Sequence, residues 1–333
     1  MTPKENLLAI LRGETPEYLP AVYSPFKMVV GDPISRYLRG NRIRGTNSYD
    51  CWGTYIMFPE DAPAAIPCVT EDNQVIQEIT CWRDYVHVPD LAAKCSDGWE
   101  AAKAACEAID RDRYLSMVIM GTGIFEQVHM LMTFEDTLVN LLAEPDDMHD
   151  LIDTICEYRL TYMKMIVENL HPDVICSHDD WGAKTSLFMS PDTWRSFFKE
   201  PYRKLYSYLH DNNVIVIHHG DSFMEPLAED MAEIGIDIWQ GVLPTNDIES
   251  LSKKLNGKMA LMGGIDSIID RADATEEEIR AETRRACEAY GHLKGFIPSM
   301  TYGGPASLFP HVYPIVTDEI CKFNMERFGK FEL

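Results

Sequence analysis

The sequence predicts an α/β fold, and within that class a TIM-type (β/α)8 barrel with an irregular N-terminal extension. Three observations carry this. Short continuous apolar runs alternate with helix-length amphipathic stretches from about residue 98 onward, the pattern of parallel strands buried on both faces. Several of those runs end in polar residues, HDD, HHGD, WQG, GGID and PSMTYGG, as expected where a site gathers at the C-terminal ends of barrel strands. The chain has 333 residues and is 46% hydrophobic, enough for one large core. A doubly wound open sheet is the alternative. It calls for a glycine-rich first turn, and GTG at 121–123 is the sole, weak match.

The elements follow in order. MTPKENLLAILRGE is an amphipathic helix with interleaved charges, and it lacks the apolar core of a signal peptide. Residues 1–95 read as a cap with the first strands, because VYSPF, VVGDP, FPEDAPAAIP and VHVPDL are broken by proline and glycine. Residues 96–333 read as the regular barrel, so that 1–333 forms a single domain. A helix over 98–111 precedes the strand LSMVIMG (115–121), and helices over 125–142 and 146–169 lead to DVICSH (173–178). A helix over 191–210 leads to VIVIHHG (214–220), one over 224–233 to IDIWQG (236–241), and one over 247–255 to MALMGGI (259–265). A helix over 275–290 leads to GFIPSM (295–300), and a last helix fills 313–327. No fixed-period repeat and no low-complexity segment is present.

Charge and cysteine usage narrow the function classes. With 53 acidic and 30 basic residues the formal net charge is −23, which excludes nucleic acid and an anionic membrane surface as partners. The same field repels highly anionic substrates unless a local basic pocket overcomes it. The nine cysteines include no CxxC pair, and a chain this long needs no staples, so a reducing cytoplasm is the expected location. No stretch approaches the roughly 18 apolar residues of a membrane span. No GxSxG, Walker loop or HExxH appears, which leaves serine hydrolysis and P-loop phosphoryl transfer without an anchor.

The chemistry-bearing residues cluster at strand ends. In VIVIHHGDSF (214–223) side chains alternate, so His219 and Asp221 share one face and His218 takes the other, although one bulge would exchange the histidines. A His-x-Asp pair can offer a nitrogen and an oxygen to one metal ion, or form a hydrogen-bonded pair holding a general base. The plainer alternative is a core histidine followed by an N-cap. In SHDDWG (177–182) only one of Asp179 and Asp180 can easily face a pocket, with Trp181 placed to meet an aromatic ring. The plainer alternative there is an acid capping a turn. In GIFEQVHM (123–130) Glu126 and His129 are spaced i, i+3 and share a helix face, suited to chelation or to a solvated ion pair. In GFIPSMTYGGP (295–305) Ser299 and Tyr302 lie at a strand end, with His311 just beyond, and Asp266 of MGGIDS reads as a turn cap.

LFMSPDTWRSFFKEPYRKL (187–205), followed by VIVIHHGD, IDIWQG and LMGGIDS, resembles the uroporphyrinogen decarboxylase superfamily in order and spacing over residues 100–325. DCWGTYIMFPEDAPAAIPCV (50–69) resembles its corrinoid-dependent methyltransferase branch, including the first methyltransferase component of anaerobic O-demethylases. The resemblance implies a TIM barrel, a zinc ion, and a methyl group delivered to the Co(I) corrinoid of a separate, transiently bound protein. In zinc-dependent members the motif resembles His-x-Cys, with a later cysteine from the last strand; here His219-Gly220-Asp221 and Ser299 take those places, and both thiolates are missing. His219, Asp221 and His218 are therefore the expected metal ligands, with Glu126, His311 or water completing the set. A carboxylate set leaves the metal more electrophilic than thiolates would, which suits polarising an ether oxygen of a methoxylated, aromatic substrate. Glu126, Tyr302 and Asp180 are the expected acids for the departing oxygen, and Trp181, Trp239, Phe125 and Ser299 the expected substrate contacts. The chain lacks a DxHxxG-type cobalt motif, so the corrinoid belongs to the partner. Two other readings are weighed: a uroporphyrinogen-type decarboxylase, whose RQAGRYLPEYR-like stretch is replaced here by AVYSPFKMVVGDPISRYLRG (21–40), and a metal-free regulatory or binding relative.

Overall fold

The computed structural model describes residues 1–40, 42–62, 64–300 and 309–333. Its strands, in chain order, are β1 (Phe26–Met28), β2 (Thr46–Tyr49), β3 (Tyr55–Phe58), β4 (Ile66–Pro67), β5 (Leu115–Met120), β6 (Val174–His178), β7 (Ile215–His219), β8 (Ile238–Val242), β9 (Ala260–Gly264) and β10 (Phe296–Ser299). Seven of them form one sheet in the order β1-β5-β6-β7-β8-β9-β10, every pairing parallel, and β2-β3-β4 form a separate antiparallel sheet. A parallel neighbour requires a crossover, and the helical stretches between the apolar runs supply it. The large sheet curls as in a TIM-like barrel. At its two edges the amide of Val22, ahead of β1, donates to the carbonyl of Pro298 in β10 at 3.3 Å.

Side-chain alternation divides the core. Met117, Val174, Cys176, Ile217, Ile238, Met262 and Ile297 belong to one apolar cluster within the curl. Their strand neighbours Val118, Ile175, Val216, Trp239, Leu261 and Phe296 belong to a second, between sheet and helices. This settles the two histidines of β7. Ile217 faces inward, so His218 faces the helices and His219 faces the interior. In register, His178 of β6 lies opposite His219, and His219 opposite Gln240 of β8, so three polar residues share the uppermost inward layer.

The sequence-predicted elements recur with three differences. The predicted helix over 125–142 is two helices, Ile124–Leu131 and Phe134–Ala143. Thr133 separates them because its extended backbone lets its hydroxyl cap the second by accepting from the amide of Asp136. The helix over 191–210 carries a wide turn at Arg195–Lys199, just ahead of Pro201, which has no N–H to offer the helical ladder. Among the described residues the barrel sheet has seven strands rather than eight, because the first 95 residues give it only β1 and place β2–β4 in the separate sheet. No helix of the described residues is long and apolar enough to cross a membrane.

Candidate metal centre

His178 is the last residue of β6 and, like Val174 and Cys176 before it, points inward. Its Nδ1 lies 3.2 Å from Oε2 of Glu126 and its Nε2 3.7 Å from Oδ2 of Asp180. One ligand atom from each of Glu126, His178 and Asp180 falls within 4.8 Å of the others, a spacing at which three donors can share one cation.

Each member is placed by local structure. Glu126 is the third residue of the helix that starts as β5 ends, and its Oε2 accepts from the amide of Gly123 at 3.1 Å. That helix start is fixed by Asp179, whose buried carboxylate accepts from the amides of Phe125 and Glu126 at 2.9 Å each, from Nε1 of Trp181 at 3.0 Å, and from the hydroxyl of Tyr202. A carboxylate at a helix N-terminus also meets the positive end of the helix dipole. The approach is so close that a Cβ on Gly123 would lie 2.0 Å from Cγ of Asp179. Asp180 points the other way, into the cluster, and its Oδ1 accepts from the amide of Asp221 at 2.8 Å.

The electrostatics follow from burial and mutual proximity. Burial works against a charged His178, but Glu126 and Asp180 outweigh it and hold the imidazole well above its ordinary pKa. Burial likewise works against charged Glu126 and Asp180, and His178 reverses it, leaving both below the ordinary carboxylate range. Asp221 is pushed up to about 7 by burial and by Asp180 beside it. Asp179 is raised to about 7 by burial and by Glu126, against the pull of its donors.

The other sequence-predicted residues are placed as follows. His219 faces the interior, its ring 4.6 Å from that of His178, with Nδ1 on Oε1 of Gln240. Burial and then His178 lower its pKa. His218, expected as a ligand, has both nitrogens engaged: Nε2 meets the carbonyl of Asp179 at 3.0 Å and Nδ1 meets the hydroxyl of Tyr206 at 2.7 Å. A carbonyl can only accept, so Nε2 carries the proton and no lone pair is left for a metal; burial takes this ring down to about 3. Trp181 packs on Trp194, Tyr202 and His218, and Trp239 lies on the outer face of β8 with Nε1 donating to the carbonyl of Gly220. Phe125 is enclosed by Phe134, Phe188 and Phe198. These three aromatic side chains support the site from behind. Ser299 is buried and its hydroxyl donates to the carbonyl of Met300. His129 lies against Phe125 and Phe134, while Glu126 pairs with His178 instead. His311 is at the start of the last helix, and Asp266 caps its turn by accepting from the amide of Ile268. Tyr302 lies outside the described residues.

A cavity of about 370 Å³ opens beside Glu126 and His178, and its far wall includes Trp52, Tyr158 and Tyr162. Sequence reasoning did not assign these aromatic residues to the site, nor His178 as a metal ligand. The signal for His178 was a histidine closing the apolar strand DVICSH; nothing local marks the other three.

Residues 68–312 match the family described as uroporphyrinogen decarboxylase (URO-D). The chain is similar to the uroporphyrinogen decarboxylase of Thioalkalivibrio sulfidiphilus, 22% identical over 194 residues that cover 56% of this chain and 52% of that one. It is also similar to the uroporphyrinogen decarboxylase of Neisseria meningitidis, 24% identical over 255 residues that cover 73% of this chain and 68% of that one. The match thus spans about half the length of the first of these relatives. Among solved structures, a methyltransferase from Methanosarcina mazei shares the fold with a TM-score of 0.66 at 18% identity, covering 97% of this chain and 99% of that one.

Proposed function

The chain belongs to the uroporphyrinogen decarboxylase family, and from that premise we propose that it is a methyltransferase moving a methyl group from a methoxylated aromatic compound to the Co(I) corrinoid of a separate protein. The observation that carries the reading is the Glu126–His178–Asp180 cluster at the C-terminal ends of β5 and β6, bordering a cavity. The donor set fits zinc, since one imidazole and two carboxylates are ordinary zinc ligands. Glu126, His178 and Asp180 would hold the ion, with His219 the next nitrogen to hand, and it would supply Lewis acidity toward an ether oxygen. Thiolate ligation has no support here, because among the described residues no cysteine joins the group of possible donors.

The chain's own residues do the remaining work. Asp179 anchors the helix that carries Glu126 and so fixes the cluster before substrate arrives. The cavity walls exclude water from the reacting oxygen and position the ring. Transfer of the methyl group leaves both C–O bonding electrons on that oxygen, so a phenolate departs and needs a proton. Asp221, whose amide donates to Asp180 and whose carboxyl is raised chiefly by burial, would hold one. Decarboxylation is the second reading, favoured by what the similar proteins are called. A cavity of about 370 Å³ lies at the low end of the range for small-molecule sites and suits one ring better than a tetrapyrrole.

The test joins metal content to turnover. Protein purified without chelator should carry about one zinc per chain, lost in His178→Ala, and should demethylate a methoxylated aromatic compound when a Co(I) corrinoid protein is supplied. Protein that takes up no zinc and transfers no methyl group from any of a panel of methoxyarenes would remove this reading.

A further inference from the structure

His218 and His219 are neighbours in sequence, yet their hydrogen bonds put the ring proton on opposite nitrogens. Nε2 of His218 donates to the carbonyl of Asp179, and its Nδ1 accepts from the hydroxyl of Tyr206. The proton of His219 is settled one step further out, by Gln240. The amide nitrogen of Gln240 lies 3.1 Å from the carbonyl of Met300, which can only accept. The nitrogen is therefore on that side, and the amide oxygen Oε1 is the atom that meets Nδ1 of His219. An amide oxygen, too, can only accept. The proton of His219 is on Nδ1, and Nε2 keeps its lone pair.

The backbone holds Gln240 in place for this. Ile238 faces the interior and Trp239 the helices, so Gln240 faces inward, and it is buried. Its carbonyl accepts from the amide of Gly220, the residue after His219, at 2.9 Å. The strand register then shifts between Gln240 and Val242. Gly241 makes that shift at φ +100°, and a Cβ there would lie 2.9 Å from the carbonyl oxygen of Gly220, so only glycine lets the strands approach. The hydroxyl of Ser299 donates to the same Met300 carbonyl at 3.1 Å, so the acceptor that orients Gln240 is itself held from β10. In the inward layer of β6, β7 and β8, His219 sits between His178 and Gln240. The edge of an imidazole opposite Nδ1 carries Nε2. With Nδ1 turned to β8, Nε2 belongs to the edge facing β6, where the His178 ring is 4.6 Å away.

We propose that Gln240 is a positioning residue that locks His219 as the Nδ1–H tautomer and so turns the lone pair of Nε2 toward the Glu126–His178–Asp180 cluster. A histidine offered to a metal needs one bare nitrogen, and an acceptor fixed at the other nitrogen supplies it in advance. The use of that lone pair by an ion rests on the zinc reading of the site; the tautomer itself does not.

The test is proton–nitrogen correlation spectroscopy of the full-length, metal-free protein labelled with 15N in its histidine rings, at neutral pH. Protonated and bare ring nitrogens resonate far apart, and His218→Gln and His219→Gln assign the two residues. His219 should show the proton on Nδ1 and His218 on Nε2. In Gln240→Met, which keeps the bulk and removes the acceptor, the His219 proton should move at least in part to Nε2. The His218 pattern should stay as it was, which shows that the strand end is still folded. A proton on Nε2 of His219 in the unaltered protein, protons on both its nitrogens, or a His219 pattern indifferent to Gln240→Met would overturn the proposal. Zinc titration of the same samples separates the two ideas. Gln240→Met should bind zinc at least about tenfold more weakly, and undiminished affinity would take Nε2 out of the centre. The expected tautomers in a protein that binds no zinc keep the lock and remove the zinc reading. Tight zinc binding with the His219 proton on Nε2 before zinc is added does the reverse.

Discussion

His178 has a carboxylate at each ring nitrogen, and that placement sets which substitutions matter. His178→Ala should abolish tight zinc binding, while His219→Ala, whose Nδ1 is engaged by Gln240, should weaken it without removing it. Zinc per chain after dialysis decides between them; loss in His219→Ala with retention in His178→Ala would return the centre to HHGD. The neighbouring His218 makes a different prediction. Its folded pKa is about 3 against an ordinary 6.5, so between those values the unfolded chain binds a proton that the folded chain refuses. Stability from this group is therefore full above about pH 6.5 and falls as pH drops, by about 2 kcal/mol between pH 7 and pH 5. Urea unfolding at both pH values should show the acid loss shrinking by about that amount in His218→Gln, whatever its stability at pH 7. At this scale the sequence was partly legible. Glu126, on a helix face, and Asp180, at a strand end, stood out as acids and lie in the cluster, whereas the doublet HHGD outweighed the single histidine one strand earlier, because VIC is apolar on both faces and does not show which way His178 points.

The helix Ile124–Leu131 connects that residue pattern to the site, because its first turn carries Glu126 and is held by Asp179 across a gap only glycine fits. Gly123→Ala places a methyl group against the Asp179 carboxylate and must push the helix start away. The expected cost is about 1–3 kcal/mol in urea unfolding, together with weaker zinc binding as Glu126 moves. A variant of unchanged stability and zinc affinity would show that the helix start is not what positions the cluster. Elements were the most legible level. Six barrel strands and the helices between them follow from run length and period, since a buried parallel strand is apolar throughout. The break at Thr133 was missed because both sides keep a helical apolar pattern, and only the cap marks the boundary. Trp52 could not be read as part of the site at all. It lies between β2 and β3, in a segment that reaches the site through contacts remote in sequence, such as the hydroxyl of Thr54 on the carbonyl of Met130 and the amide of Ile76 on the carbonyl of Leu131.

At the scale of the molecule, a net charge of −23 complicates any claim about metal, because so acidic a surface attracts every divalent cation weakly. Diffuse and specific binding differ in two physical ways. Diffuse binding depends on long-range potential and is largely screened at roughly 0.3 M NaCl, where the Debye length is a few ångströms. Coordination by Glu126, His178 and Asp180 is short-range, partly buried, and requires a neutral imidazole. Binding to the folded state alone adds about 2.7 kcal/mol when free zinc is a hundred times its Kd. Thermal unfolding in roughly 0.3 M NaCl should therefore shift upward with micromolar zinc and not with equal magnesium, and chelator should reverse the shift. The increment should shrink on acidification, as protons compete for an imidazole that the two carboxylates make more basic, and should be missing from His178→Ala. A zinc effect that magnesium reproduces, or that salt removes, would assign the stabilisation to the acidic surface and leave the cluster a hydrogen-bonded strand end.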